Sequence, residues 1–314
     1  MKVVMINDCA FVGQTLLKYL PHDVEKQHIQ RTRGLWSKTL GLSWRILRAK
    51  GDVYHANYLL QDCYIASRLS KKPLLGHAHG SDLRRTLLSK RWGWIVRHNL
   101  QSCSKVIVST VDVLAIARRF RDDAEYLPNP VDSELFYPKP VVSSAGKKKV
   151  LIASDCNWSV KGTDVAIRAL SKVRDEVDVS IIGYGVDFQR TLALAESLSL
   201  RLSVLPKEAH ERLAQYYWDS DVVIDRFKLG SLGMVSLEAI ACGRPVLAYV
   251  SSEFPENQDF PLKDLKEEDN IAHAISNLSS EVWKDEYSFL KKHHDTSTIE
   301  SRLLSFYNEM LRRQ

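Results

Sequence analysis

The sequence predicts an α/β protein of two Rossmann-like, doubly wound domains, each built on a parallel sheet. Three observations predict it. Short apolar runs alternate with amphipathic stretches along the chain, the pattern of strands joined by helices over a sheet covered on both faces. The rhythm pauses after a Pro-rich stretch, at the polar, charged residues 143–149 (SSAGKKK), and then restarts. The charge changes across the same segment. Residues 1–142 carry 22 Lys and Arg against 12 Asp and Glu, a net +10, and residues 143–314 carry 22 against 26, a net −4, which together recover the +6 of the whole chain. The domains are therefore drawn at 1–142 and 143–314.

In the first half, residues 3–6 form an apolar run of strand length, followed by a helical stretch over 15–20. Residues 52–56 and 73–77 read as short buried strands on either side of a helix near 59–70. Residues 105–109 read as another strand, between helical patterns at 89–102 and 111–120. The second half repeats the rhythm. Strands are expected at 149–153, 177–182, 202–205, 222–225 and 245–249, and helices at 163–173, 188–198, 208–218 and 234–242. From about Glu281 the tail is helical and charged. Its apolar residues Phe289, Leu303, Leu304, Phe306, Tyr307 and Leu311 give it a face that can pack back on the first domain. Two such domains place the ligand beyond the strand C-termini, in a cleft between them.

Hydrophobic residues make up 45% and charged residues 26%, ordinary for a soluble globular chain. No run of about 18 apolar residues exists to span a bilayer. The opening MKVVMINDCAFVG reads as a strand, not as a secretion signal. The five cysteines are scattered and never spaced as C-x-x-C, which argues against a zinc site or a disulfide framework and fits a reducing cytoplasm.

Three constellations can carry chemistry. In residues 230–246, Gly230 and Gly233 precede a helix that starts near Met234, and Glu238 lies one turn inside it. The free amides of a helix N-terminus, here those of Met234 and Val235, suit a phosphate, and a carboxylate one turn on can accept from a ribose diol. On spacing alone the segment reads equally as a glycine-lined helix start with a solvated Glu. Lys161 sits in the loop after the first strand of the second domain, where an ammonium can neutralise a diphosphate leaving group. His77 and His79 lie two apart at the end of a strand of the first domain, beside Asp82. Such histidines can ligate a metal or donate to a sugar, but no further metal ligands are evident nearby. Asp219-Ser220-Asp221 precedes a strand rather than following one, so its carboxylates are expected away from the strand C-termini.

These pieces together resemble glycosyltransferase family 4. HAHGSD at 77–82, YLPNPVD at 126–132, KGTDVAIRAL at 161–170, IIGYG at 181–185 and LGSLGMVSLEAIACGRPV at 229–246 carry the resemblance, the last most specifically. The resemblance implies a GT-B fold and transfer of a sugar from a nucleotide-diphosphate sugar with retention of configuration, with no cofactor and no metal site. It implies that Lys161 meets the donor phosphate, that Glu238 holds the nucleotide ribose, and that Gly233 with the amides after it cradles the donor. Gly13 corresponds to the glycine loop near the diphosphate. One of His77 and His79 corresponds to the histidine near the donor sugar; His77 is favoured as nearer the strand end, and Asp82 is a candidate for positioning sugar or acceptor. The chain departs from the family twice. The first Glu of the family's pair is Gly230 here, and no Arg precedes Lys161 in Ser154-Asp155-Cys156-Asn157-Trp158. Arg226 or Lys228, just after a strand, is expected to supply the missing charge.

The basic stretches 33–50 and 90–97 interleave Trp36, Trp44, Trp92 and Trp94 with Lys and Arg. That composition suits an anionic membrane surface and would fit a glycan or lipid-linked acceptor at the inner membrane face. The alternative function is a GT-B-like binding or scaffold protein whose turnover is impaired by Gly230. Nucleic acid is not an expected partner, because no reader motif is present.

Overall fold

The computed structural model describes residues 1–31, 34, 40–140, 146–279 and 281–313. They form two compact units, Met1–Pro130 with His294–Gln314, and Val131–His293. The 142/143 boundary, residues 143–145 of the expected linker, and Arg33, Leu35 and Trp36 lie outside the described residues. The change of unit comes earlier than composition suggested, at Pro130, because Val131 and Phe136 are buried in the core of the second unit.

The first unit is a six-stranded parallel sheet, ordered β2-β1-β3-β4-β5-β6. Its strands are β1 (Lys2–Ile6), β2 (Glu25–Ile29), β3 (Val53–Asn57), β4 (Leu74–Ala78), β5 (Lys105–Val108) and β6 (Glu125–Tyr126). Alternation along the strands divides their side chains between two buried faces. Val4, Ile6, Tyr54, Ala56, Leu74, Ala78, Val106 and Val108 pack under the helices Leu40–Arg48, Gln61–Arg68 and Gly93–Ser102, which contribute Leu42, Ile46, Cys63, Ala66, Val96 and Leu100. Met5, His55, His77 and Ile107 are buried at the alternate positions. Tyr307 of the helix Thr296–Arg312 bonds His55 from that side. The order reverses at β1, so the β1/β3 C-terminal ends form the switch point at which such sheets bind ligands.

The second unit is a five-stranded parallel sheet, ordered β11-β10-β7-β8-β9. Its strands are β7 (Lys148–Ile152), β8 (Val177–Ile182), β9 (Leu202–Leu205), β10 (Val222–Ile224) and β11 (Val246–Leu247). Val150, Ile152, Val179, Ile181, Val222 and Ile224 face a core shared with helices Thr163–Lys172, Phe188–Ser197 and Glu268–Ser276. Leu151, Ile182 and Val223 face the opposite core with helices His210–Trp218, Met234–Ala241 and Val282–His293. The tail expected as helical from about 281 is two helices. Asp295 caps the second, accepting from Thr298 N at 3.0 Å. The first helix packs Phe289 and Leu290 in the second unit. The second helix buries Ile299, Leu303, Phe306 and Tyr307 in the first.

Candidate functional site

In the second unit, β7 and β10 are neighbours, so the loops leaving their C-terminal ends run side by side. Phe227 N donates to Lys161 O at 2.7 Å and ties the two loops together. Between them lies Asp225, whose side chain is wholly buried. Its Oδ1 is 3.6 Å from Lys161 Nζ and its Oδ2 is 3.5 Å from Arg226 Nε. Ser236 Oγ, in the first turn of the Met234–Ala241 helix, donates to Oδ2 at 2.7 Å. Burial opposes ionisation of Asp225, but the Lys161 and Arg226 charges and the Ser236 hydroxyl outweigh it and hold the carboxyl at about 2. Burial, and then Arg226, push the Lys161 ammonium below its ordinary value.

Gly233 is required here by close approach. A methyl group on it would collide with the Arg226 guanidinium and lie 2.7 Å from Asp225 Oδ2. Among the described residues no side chain caps the helix that follows. The amides of Met234 and Val235 have no carbonyl partner in their own helix and carry its positive partial charge. Lys161, Arg226, Gly233 and this first turn are thus brought together around one carboxylate, an arrangement suited to a diphosphate.

Of the two basic residues expected to supply charge, only Arg226 joins this group. Lys228 is exposed and lines a separate hollow with Lys172, Tyr249 and Lys266. Asp221 accepts from Lys149 N at 2.8 Å at the start of β10, the end opposite Asp225, where the D-x-D segment was expected.

Gly230 is buried with φ +65°. Its carbonyl accepts from Ser251 N and Asn257 Nδ2, both at 3.0 Å. A Cβ there would lie 3.0 Å from Ser251 Cβ and 3.1 Å from the Tyr249 ring. The loop is therefore shaped around glycine, and Glu at 230 would not simply restore the family's sugar contact. Gly230→Glu is expected to lower stability by about 2 kcal/mol, from the left-handed backbone and the crowding together. Urea unfolding at the wild-type midpoint would contradict this.

Glu238 is buried beside this site. Its Oε1 accepts from His210 Nε2 at 2.8 Å and its Oε2 from Tyr217 Oη at 3.0 Å.

In the first unit, the two expected histidines have different surroundings. His77 lies within β4, wholly buried, with Nδ1 3.2 Å from His55 Nε2. Its Nε2 is buried and has no hydrogen-bond partner among the described residues. His79 lies beyond the strand and is half-buried. Of the two, only His79 keeps some surface that solvent reaches. Asn57 Nδ2 donates to Asn7 O at 3.2 Å, which leaves Asn57 Oδ1 to accept from His79 Nε2 at 3.0 Å. His79 Nδ1 then accepts from Ser109 Oγ at 3.2 Å. His55 Nδ1 is 2.7 Å from Tyr307 Oη, so a buried chain runs from the C-terminal helix through His55 to His77. Burial, with repulsion from His79 and His28, pushes His55 down to about 3. Burial alone takes His79 to about 3, and burial with repulsion from His79 and His55 holds His77 well below its usual value.

Asp82 accepts from Leu59 N, Gly80 N and Leu83 N at 3.0, 2.9 and 3.1 Å. Its carboxylate is occupied in fixing two loops rather than reaching outward. Gly13 N is likewise engaged, donating to Asp8 Oδ1 at 2.8 Å, while Cys9 N and Gln14 N donate to the same carboxylate. Sequence reasoning missed Asp225, Asp8, His55, Asn57 and Tyr307. Asp225 did leave a signal, as an acidic residue ending an apolar strand run and followed at once by Arg226.

Comparison with known proteins adds to this geometry. Residues 137–259 match the glycosyl transferases group 1 family. A D-inositol 3-phosphate glycosyltransferase of Xylanimonas cellulosilytica is 35% identical over 40% of this chain and 28% of its own length. A GDP-mannose-dependent monoacylated α-(1-6)-phosphatidylinositol monomannoside mannosyltransferase of Corynebacterium glutamicum is 28% identical over 62% of this chain and 58% of its own. The chain thus spans less than two thirds of the length of these curated relatives. Among solved structures, sucrose-phosphate synthase of Thermosynechococcus elongatus superposes with a TM-score of 0.81 at 15% identity, covering 100% of both chains. Anabaena HepE, solved with UDP and glucose, gives 0.76 at 16% identity over 98% of this chain and 99% of its own. Residues 137–259 are thus similar to the group 1 glycosyl transferases, and the two parallel-sheet units have the GT-B fold of these solved structures.

Proposed function

We propose that the protein is a glycosyltransferase that moves a sugar, a hexose by resemblance, from a nucleotide-diphosphate sugar to an acceptor with retention of configuration. The observation that carries this reading is the gathering of Lys161, Arg226 and an uncapped helix N-terminus around Asp225. Negative charge grows on the leaving diphosphate as the glycosidic bond breaks. Cations and amides already fixed in place stabilise that charge without reorganising. HepE, a structural relative, is solved with UDP-glucose, which supports a nucleotide sugar as donor. The acceptor, a glycan or a lipid-linked molecule, is assigned to the first unit, and no metal takes part.

The test is a thermal-shift screen with UDP-, GDP-, ADP- and TDP-sugars, followed by transfer or donor hydrolysis. A donor present at 100 times its Kd should stabilise by about 2.7 kcal/mol. No shift with any of the four would end the proposal. One observation favours a second reading, a binding protein with impaired turnover: Gly230 stands in a turn that does not accommodate the family's Glu. A donor that stabilises the protein yet is neither transferred nor hydrolysed would select it.

Arg226→Ala is expected to slow transfer about tenfold or more, as loss of one fixed cation from the site. Lys228→Ala should remain near wild type, and equal losses in the two variants would contradict the placement of Arg226.

The membrane surface remains part of this proposal. Trp44, Trp92 and Trp94 are 57%, 48% and 48% exposed, more than a core position would leave, and Arg48 and Arg91 lie against the Trp44 and Trp92 rings. Among the described residues no helix is long and apolar enough to cross a membrane. Flotation with anionic vesicles should fall with added salt. Salt-independent flotation, or none, would remove this surface from the account.

A further inference from the structure

The helix His210–Trp218 sends two side chains to the same carboxylate. His210 and Tyr217 are seven residues apart, two helical turns, so they share one face. Each engages a different oxygen of Glu238, at 2.8 and 3.0 Å. Phe136 packs on both rings, with centroids 5.1 Å from His210 and 6.0 Å from Tyr217, and fixes their positions. An ionised carboxylate has about four acceptor sites, two on each oxygen. The two donors fill one site on each oxygen and leave one on each, the number needed by two adjacent hydroxyls.

We propose that His210 and Tyr217 are positioning residues, which fix the plane of the Glu238 carboxylate so that its remaining acceptor sites read the vicinal 2′,3′-diol of the donor ribose. This rests on the reading of the second unit as a nucleoside-diphosphate site. Two further features fit the role. Burial, and then the adjacent Glu238, hold the Tyr217 phenol far above its usual range, so it remains a neutral donor. Neither donor is carried by the Met234–Ala241 helix itself, so Glu238 is oriented from outside its own element.

The test compares UDP, GDP and ADP with their 2′,3′-dideoxy forms by calorimetry, on wild type, Tyr217→Phe, His210→Leu and His210→Gln. Wild type should bind one ribonucleotide about tenfold or more tighter than its dideoxy form, the effect of two lost hydrogen bonds to a charged acceptor. Tyr217→Phe and His210→Leu should each shrink that ratio at least about threefold with the dideoxy affinity unchanged, while His210→Gln, which keeps a donor, should restore most of it. Equal weakening of both forms would mean a purely structural role and overturn the proposal. A wild type that binds nucleoside diphosphates without preferring the ribose form would also overturn it, while leaving the donor site intact. A wild type that binds none of them would end the donor reading itself. If Tyr217→Phe does not fold, the two His210 variants decide.

Discussion

Replacing Lys161 by Met is expected to slow sugar transfer about 10²–10³-fold, the usual loss when one preorganised charge stabiliser is removed, or about 3 kcal/mol of barrier. Lys161 Nζ is held 3.6 Å from Asp225 and 4.0 Å from Asp155, with little exposure, so its position is fixed before any ligand arrives. The same substitution leaves Asp225 with Arg226 and Ser236 as partners, so part of its depressed pKa should be lost and some stability with it. Activity and melting temperature must therefore be measured together, with Lys161→Arg as the variant that keeps a charge. A folded Lys161→Met protein working at the wild-type rate would remove this ammonium from the mechanism.

The second large effect is acid instability of the first unit. His55 and His79 titrate at about 3 in the folded protein, and His77 well below its usual value, against about 6.5 in the unfolded chain. Between those values the unfolded state binds protons that the folded state refuses. The stability they contribute is therefore complete above about pH 6.5 and falls as the pH drops toward 3. With His55 and His79 alone the slope approaches about 3 kcal/mol per pH unit, and His77 adds to it in the same direction, enough to consume a typical domain stability of about 5–15 kcal/mol within a few units. Asp225, held at about 2, acts in the same direction in the second unit but only below the ordinary carboxylate range near pH 4. Urea unfolding at pH 7, 6 and 5 should show the loss, and His79→Gln should flatten the slope by about one proton. A midpoint constant from pH 7 to 5 would mean that these imidazoles titrate normally in the folded protein.

The sequence was most legible where burial is two-sided. β10 is wholly apolar, and β7 and β8 end in the buried apolar runs Val150–Ile152 and Ile181–Ile182, because both faces are covered there, so the strands and their connecting helices were readable from the pattern. β2 was not, because EKQHI is an edge strand with Glu25 and Lys26 exposed and no apolar run. β6 is two residues long and gives no period. In the candidate site of the second unit, Lys161, Gly233 and Glu238 could be singled out in the sequence because loop and helix-start residues carry local signatures. Asp225 as the central counter-charge was not, since its role exists only once two loops from neighbouring strands are brought together. The histidine chain failed for the same reason. His55, His77 and Tyr307 are distant in sequence and meet only through strand alignment and the return of the Thr296–Arg312 helix.

That return has a consequence for how the polypeptide matures on the ribosome. The second unit is one contiguous stretch, Val131–His293, interrupting the first. It can therefore complete its fold as soon as it emerges, while residues 1–130 await Ile299, Leu303, Phe306 and Tyr307. During that wait the side of the sheet that carries His55 lacks the helix that bonds it.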